Sequence, residues 1–204
     1  MENDIYTLAH EIRNPLSVVK GYIEMINEDN VFKYKNIIKN EIEDSLIILN
    51  DYLEYSKLYL NKEEIDLNML LSDLKDSLKD YLKNNNVYLH INIIDDEIYL
   101  NADYNKLKQV FKNIIKNSIE SKSKNIYISY RIMFSKVTIC IKNDGLKMDK
   151  ETMLKIGNHY TNKLNGNGIG MTLSKKIISL HHGKIKYHNN NGKGISTFIT
   201  LSLI

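Results

Sequence analysis

The chain has 204 residues, 43% hydrophobic and 26% charged, enough to bury one good core or a core with a smaller helical appendage, and this excludes a disordered tail. Nine Gly, one Pro and one Cys exclude collagen-like or Pro-rich low complexity, a disulfide framework and a cysteine-built zinc site. The formal net charge of +3 comes from scattered lysines with only Arg13 and Arg131 beside them, so no nucleic-acid partner is expected.

The first element is helical. Ile5, Leu8, Ile12, Leu16, Val19, Ile23 and Ile26 recur at three- and four-residue intervals, and after a polar break at 27–30 so do Ile37, Ile38, Ile42, Leu46, Leu49 and Leu53. That pattern predicts a helical hairpin over 5–59. Two stripes this long cannot cover each other, so the hairpin is expected to pair with a second copy as a four-helix bundle. The alternative is that it packs on its own C-terminal domain. Polar residues 61–66 mark the boundary, dividing the chain into 1–61 and 62–204.

Beyond it the sequence predicts a helix over 67–84, strands over 87–94 and 98–101, and a helix over 104–121. Strands over 126–134 and 137–142 follow, with Ser135-Lys136 as their turn, then a Gly-rich loop over 143–168. A helix over 169–181 and strands over 184–189 and 195–203 complete the chain. Strands joined mainly by hairpins, with helices on one face, make an α+β sandwich and not a parallel dinucleotide-binding sheet. The start, MENDIYTLAH, is acidic and polar, and no apolar run approaches the ~20 residues of a membrane span. A cytoplasmic, reducing setting with no direct membrane contact by this chain is therefore expected.

Three constellations carry chemistry. In His10-Glu11-Ile12-Arg13-Asn14-Pro15 the only proline lies inside a helical pattern, where it costs about 3 kcal/mol and frees a carbonyl one turn back. Glu11 adjoins His10 and could take a proton from one ring nitrogen while the other acts as nucleophile. An exposed histidine with a charged neighbour would look the same, and a zincin is ruled out because Asn14 stands where His-Glu-x-x-His needs its second histidine. Asn113 and Asn117 are one helical turn apart and could offer amide oxygens to a hard cation, although two asparagines at this spacing also arise by chance. Gly166-Asn167-Gly168-Ile169-Gly170 runs into a helix, whose first N–H groups could meet a phosphate; it fits neither a P-loop nor a Rossmann fingerprint. Asn143-Asp144-Gly145, at a strand end, could face a nucleobase or be a plain turn.

In this order and spacing the motifs resemble those of the bacterial sensor histidine kinases, over nearly the whole chain. Leu8-Ala9-His10-Glu11-Ile12-Arg13-Asn14-Pro15-Leu16 is similar to the H box, and residues 109–120, from Gln109 to Glu120, to the N box. His159-Tyr160-Thr161-Asn162-Lys163 resembles the F box, and Gly166-x-Gly168-x-Gly170-Met171 the G2 box, with Ile177-Ile178-x-x-His181-x-Gly183-Lys184-Ile185 after it. The resemblance, closest to the sporulation and nitrogen-regulation kinases, implies an α-helical hairpin that forms a four-helix bundle on dimerisation, then an α+β sandwich ATP-binding domain of the histidine kinase/Hsp90-like type. It implies an ATP- and Mg²⁺-dependent protein-histidine kinase that phosphorylates His10 and passes the group to an aspartate of a response-regulator receiver domain. Glu11 would be the general base, and Asn14 would orient a water for dephosphorylation. Asn117 would bind Mg²⁺, supported by Asn113, while Thr161, Lys163, Gly166, Gly168, Gly170 and Met171 would hold the nucleotide together with Asn143, Gly145 and Thr197.

One departure stands out. The family places Asp at the position of Asn143 and a second Gly at that of Lys147, so a charge-assisted contact to adenine would become a neutral one through the Asn143 amide oxygen. Restoring Asp at 143 is then expected to hold or tighten nucleotide binding. A relay or scaffold protein with a degenerate ATP site is the competing expectation; a chaperone or mismatch-repair ATPase would leave His10 and Pro15 unexplained. With nine residues before His10, the chain reads either as part of a longer membrane sensor or as a naturally sensorless protein.

Overall fold

The computed structural model describes residues 2–93, 97–149, 153 and 169–204. The chain divides into two compact units, the first holding residues 2–58 and the second residues 59–149 and 170–204.

The first unit is the hairpin of α1 (Glu2–Met25) and α2 (Val31–Ser56). Its turn is built by two asparagines that bond each other's backbone. Asn27 Oδ1 accepts from the N–H groups of Asp29 and Asn30, both at 3.1 Å, while Asn30 Oδ1 accepts from Asn27 N at 2.8 Å and Asn30 Nδ2 donates to the Met25 carbonyl at 3.0 Å. Tyr22 and Tyr34 meet across the hairpin with ring centroids 4.8 Å apart. Little else is enclosed: Val19 and Ile48 are buried, whereas Leu16, Ile23, Leu46 and Leu53 of the apolar stripes remain exposed.

The second unit is an α+β sandwich. Strand β1 (Glu63–Asp66) leads into α3 (Leu67–Asn84), β2 (Tyr88–Ile91), β3 (Tyr99–Ala102) and α4 (Tyr104–Glu120). Then come β4 (Asn125–Met133), β5 (Lys136–Asn143), α5 (Ile169–Leu180), β6 (Lys184–Asn189) and β7 (Ile195–Ser202). Five strands form one sheet in the order β2-β4-β5-β7-β6, antiparallel except for β2 against β4, and β1 pairs antiparallel with β3 in a separate ribbon. Both α3 and α4 start where an aspartate caps them: Asp66 Oδ1 accepts from Asn68 N at 2.8 Å, and Asp103 Oδ1 from Lys106 N at 3.0 Å. Leucines at 67, 70, 71, 74, 78 and 82 make one buried face of α3, each stabilising by about 1.5–3 kcal/mol relative to exposure. The inner face of the sheet is tied to all three helices. Tyr130 donates to Asn68 of α3 at 2.5 Å, Asn143 donates to Ser118 of α4, and Gly183, where a Cβ would lie 2.7 Å from Leu201 of β7 and 3.0 Å from Ile178 of α5, follows that helix closely.

Three details depart from the sequence expectation. Residues 63–66, read from their polarity as part of the domain boundary, are a strand, because the one apolar residue among Glu63, Glu64 and Asp66, Ile65, becomes buried only once β3 lies alongside. Among the described residues the strand expected over 87–94 reaches only Ile91. The β4–β5 turn is Phe134-Ser135, one residue earlier than expected, since Met133 pairs with Lys136. Phe134 takes φ +56° there and is 93% exposed. An apolar residue read as the end of a strand is instead its turn. Cys140, half-buried, lies mid-strand on the opposite face of the sheet from the helices.

Candidate functional site

In the first unit His10 is exposed on α1, one turn after the start of the apolar stripe, and the helix continues through Pro15 to Met25. Two residues beyond the proline, the Ser17 hydroxyl donates to the Arg13 carbonyl at 2.8 Å, a second donor on a helix stretch that lost one. Asn14 is exposed one turn after His10; the Glu11 side chain lies outside the described residues. An imidazole on a helix surface, open to solvent and next to a broken hydrogen-bond ladder, is accessible to a reacting group.

In the second unit Asn113, Gly170, Asn143 and Gly145 gather along the C-terminal half of α4. Asn113 of α4 donates through Nδ2 to the Gly170 carbonyl at 3.2 Å and to Ser174 Oγ at 3.4 Å, so its amide nitrogen fastens α4 to the first turn of α5. A methyl group at Gly170 would sit 3.5 Å from Asn113, an ordinary contact, so packing does not demand glycine there. Asn117, one turn along α4, is half-buried, and Met171 of α5 is buried.

Asn143 is the hub of this group. It is 7% exposed; its Nδ2 donates to Ser118 Oγ at 3.1 Å, and its Oδ1 accepts from Gly145 N at 3.1 Å and from Ile195 N at 3.2 Å. Asn190 Nδ2 donates to its carbonyl at 3.1 Å. Gly194, at φ +79°, comes so close that a Cβ there would lie 1.9 Å from the Asn143 carbonyl oxygen. The amide oxygen expected to meet adenine is thus filled by two backbone donors, a fact hidden in the sequence because Ile195 lies 52 positions away.

The next two residues are fixed as firmly. Asp144 accepts from Lys124 N at 2.7 Å, Asn125 N at 2.9 Å and Asn125 Nδ2 at 2.9 Å. Burial raises its carboxyl, but these bonds outweigh it and hold the group below its ordinary value. At Gly145 a Cβ would lie 2.5 Å from the Ser121 carbonyl, Ser121 Oγ and Ser123 Oγ, so only glycine fits. Thr197 is buried on β7 between Ile141 of β5 and Tyr187 of β6. Among the described residues the buried Tyr187 hydroxyl has no hydrogen-bond partner, and burial raises its phenol far above the ordinary value.

At the far end of α4, Asp103 is a second hub. Its Oδ2 accepts from Asn61 N at 2.9 Å, and its own N–H donates to His181 Nε2 at 2.9 Å. His181 Nδ1 therefore carries the proton and donates to the Ile177 carbonyl at 2.8 Å. Thr161, Lys163, Gly166 and Gly168 lie outside the described residues.

The donor set suits a nucleotide with a hard cation. Among the described residues no three His, Cys, Asp or Glu side chains gather as a metal site, so a cation here would share amide and phosphate oxygens. The room at Gly170, on the first turn of α5, is where a backbone can approach phosphate.

Comparison with known proteins agrees with this division. Residues 102–203 match the family described as Histidine kinase-, DNA gyrase B-, and HSP90-like ATPase, and residues 5–59 match the His Kinase A (phospho-acceptor) domain. The chain is 33% identical over 202 residues to sporulation kinase E of Bacillus subtilis (strain 168), covering 95% of this chain and 27% of that protein. It is 31% identical over 206 residues to sporulation kinase B of the same organism, covering 96% of this chain and 48% of that one. The chain thus spans less than half the length of either relative. The solved structure of histidine kinase ThkA in complex with response regulator protein TrrA superposes at TM-score 0.80 and 28% identity, over 96% of this chain and 60% of that one.

Proposed function

The chain belongs to the histidine kinase-, DNA gyrase B- and HSP90-like ATPase family, and we propose that it works as the catalytic core of a cytoplasmic two-component protein-histidine kinase. The observation that carries this is His10, exposed on α1 within a phospho-acceptor match, in the same chain as an ATPase match that contains Asn117, Asn143 and Gly170.

Residues 1–61 serve as the dimerisation and phosphotransfer hairpin and 62–204 as the ATP-binding domain. A ring nitrogen of His10 bonds the γ-phosphorus of ATP as the bond to its bridging oxygen breaks and ADP leaves, while Glu11 takes the proton from the other ring nitrogen. Asn117 would hold Mg²⁺ through its amide oxygen, and Asn113 holds α5 against α4 beside it. Gly170 and Met171, with Thr161, Lys163, Gly166 and Gly168, form the phosphate side. Asn143, Gly145 and Thr197 shape the base side; the saturated Asn143 amide acts by fixing the Gly145 turn in place. The exposed stripes of α1 and α2, Leu16 at 46% and Leu46 at 53% among them, are covered by a second copy. A receiver-domain aspartate takes the phosphoryl group from His10, and Asn14 orients a water that hydrolyses the aspartyl phosphate to free phosphate.

Incubation with γ-labelled ATP and Mg²⁺ tests the proposal. Phosphohistidine survives base and is lost in acid, so the label is expected to follow that pattern, to vanish in His10→Ala and to fall with Asn117→Ala at unchanged circular dichroism. Label retained by His10→Ala would sink it. Light scattering is expected to give twice the monomer mass.

A further inference from the structure

Among the described residues of this unit, helices cover one face of the five-stranded sheet and leave the other open. Register and alternating burial fix which side chains share the open face: Arg131 on β4, Lys136 and Lys142 on β5, and Lys184 and Lys186 on β6 are all on it. None of the outward residues of these strands is Asp or Glu. Among the described residues none of the five cations is paired with a carboxylate. In a chain with 28 Lys and Arg against 25 Asp and Glu, a face of one sign is a local feature, and the lysines that look scattered along the sequence are gathered by the fold. Strand spacing and rise put them on a flat field of about 15 by 20 Å.

The chemistry of the field selects its partner. Four of the five cations are lysines, point charges that need no bidentate geometry. Tyr127 is already stacked on His90 at 4.7 Å and Phe198 meets His188 edge-on at 5.8 Å, so their rings are committed to each other and poorly placed to stack on bases. At the end of the sheet, beside Arg131 and Lys136, Met133 and Phe134 are exposed, Phe134 in a left-handed conformation that a bulky side chain disfavours. Cations bordering a protruding apolar pair match the boundary between anionic headgroups and acyl chains.

We propose that this open face docks on an anionic lipid surface, tilted so that Phe134 enters the headgroup boundary and the five cations lie over the headgroups. The proposed contact is peripheral and differs from the expectation of a chain without membrane contact; no described helix is long and apolar enough to cross a membrane. The face shares no residue with the candidate nucleotide site, so the inference stands apart from the kinase reading.

Co-sedimentation of the intact chain with vesicles tests it. Binding is expected to vesicles of phosphatidylcholine with phosphatidylglycerol, not to phosphatidylcholine alone, and to disappear at about 0.5 M salt, where screening shortens to a few ångströms. Lys142→Gln with Lys186→Gln is expected to lower partitioning about 25-fold, about five-fold per charge, and Phe134→Ser to lower it independently. The paired control Lys75→Gln with Lys79→Gln, on exposed positions of α3, is expected to match wild type, with all variants folded by circular dichroism. Failure to bind the anionic vesicles, equal binding to both vesicle types, or an equal loss in the control would overturn the proposal. So would tighter binding to single-stranded DNA or polyglutamate than to the vesicles, which would reassign the face to nucleic acid or an acidic protein.

Discussion

Asn143 Nδ2 donates to Ser118 Oγ at 3.1 Å, and the Ser118 hydroxyl donates onward to the Ile114 carbonyl at 2.9 Å. The serine proton is spent within its own helix, so its oxygen needs a donor, which an amide has and a carboxylate lacks. Asn143→Asp is therefore expected to lower stability by about 1–3 kcal/mol, the scale of a buried polar atom losing its partner, and to weaken nucleotide binding. This turns round the expectation drawn from the family's aspartate. Urea denaturation and calorimetric titration with ATP measure the two effects; a more stable or tighter-binding variant would refute the argument.

Gly145 and Gly170 should respond in opposite ways. Alanine at 145 meets three oxygens at 2.5 Å, one of them backbone, and is expected to cost at least about 1–3 kcal/mol. Alanine at 170 meets only Asn113 at 3.5 Å and should leave the denaturation midpoint within a few degrees, while the proposed phosphate role of this turn predicts weaker ATP binding. Thermal melts beside titrations separate the two cases.

His181 makes stability depend on pH. Both ring nitrogens are used in the neutral form, and protonation would set an N–H against that of Asp103. Burial lowers its pKa, the Ile177 carbonyl opposes that shift, and Lys62 adds to it. Since the folded value lies below the unfolded one, near 6.5, the unfolded chain binds the proton first, and this contribution is complete above about pH 6.5 and lost as pH falls through the folded value. Urea midpoints of wild type are expected to fall more steeply than those of His181→Gln between neutral and mildly acid pH. Parallel profiles would assign the dependence elsewhere.

Tyr187→Phe removes a buried hydroxyl that has no partner among the described residues. Stability is expected to rise by up to about 1–3 kcal/mol, the usual cost of such a group, visible as a higher melting temperature. A drop would reveal a partner.

The helices were legible because their signals are local. The helix expected over 67–84 is α3 to the residue, the one expected from 104 starts where α4 does, and the apolar stripes give the hairpin. What the sequence withheld depends on neighbours distant along the chain. Ile65 reads as one apolar residue among charges until β3 pairs with it, and Phe134 reads as strand until Met133 and Lys136 come into register. The candidate site shows the same limit: residue types named Asn113, Asn143 and Gly170, but only the packed chain shows that Asn113 grips Gly170 and that Ile195 fills the Asn143 oxygen. The open basic face was invisible because alternate positions on strands far apart in sequence supply it.

Cys140 is the only thiol in the chain, and it sits in the middle of that face, half-buried, opposite Phe198. Burial raises its pKa, although Ser196 and Lys142 pull the other way, so it is mostly a protonated, slow nucleophile at neutral pH. That makes it a built-in probe: a thiol reagent's rate, measured on the unaltered chain with and without vesicles, records as a single time constant whether the sheet is occluded.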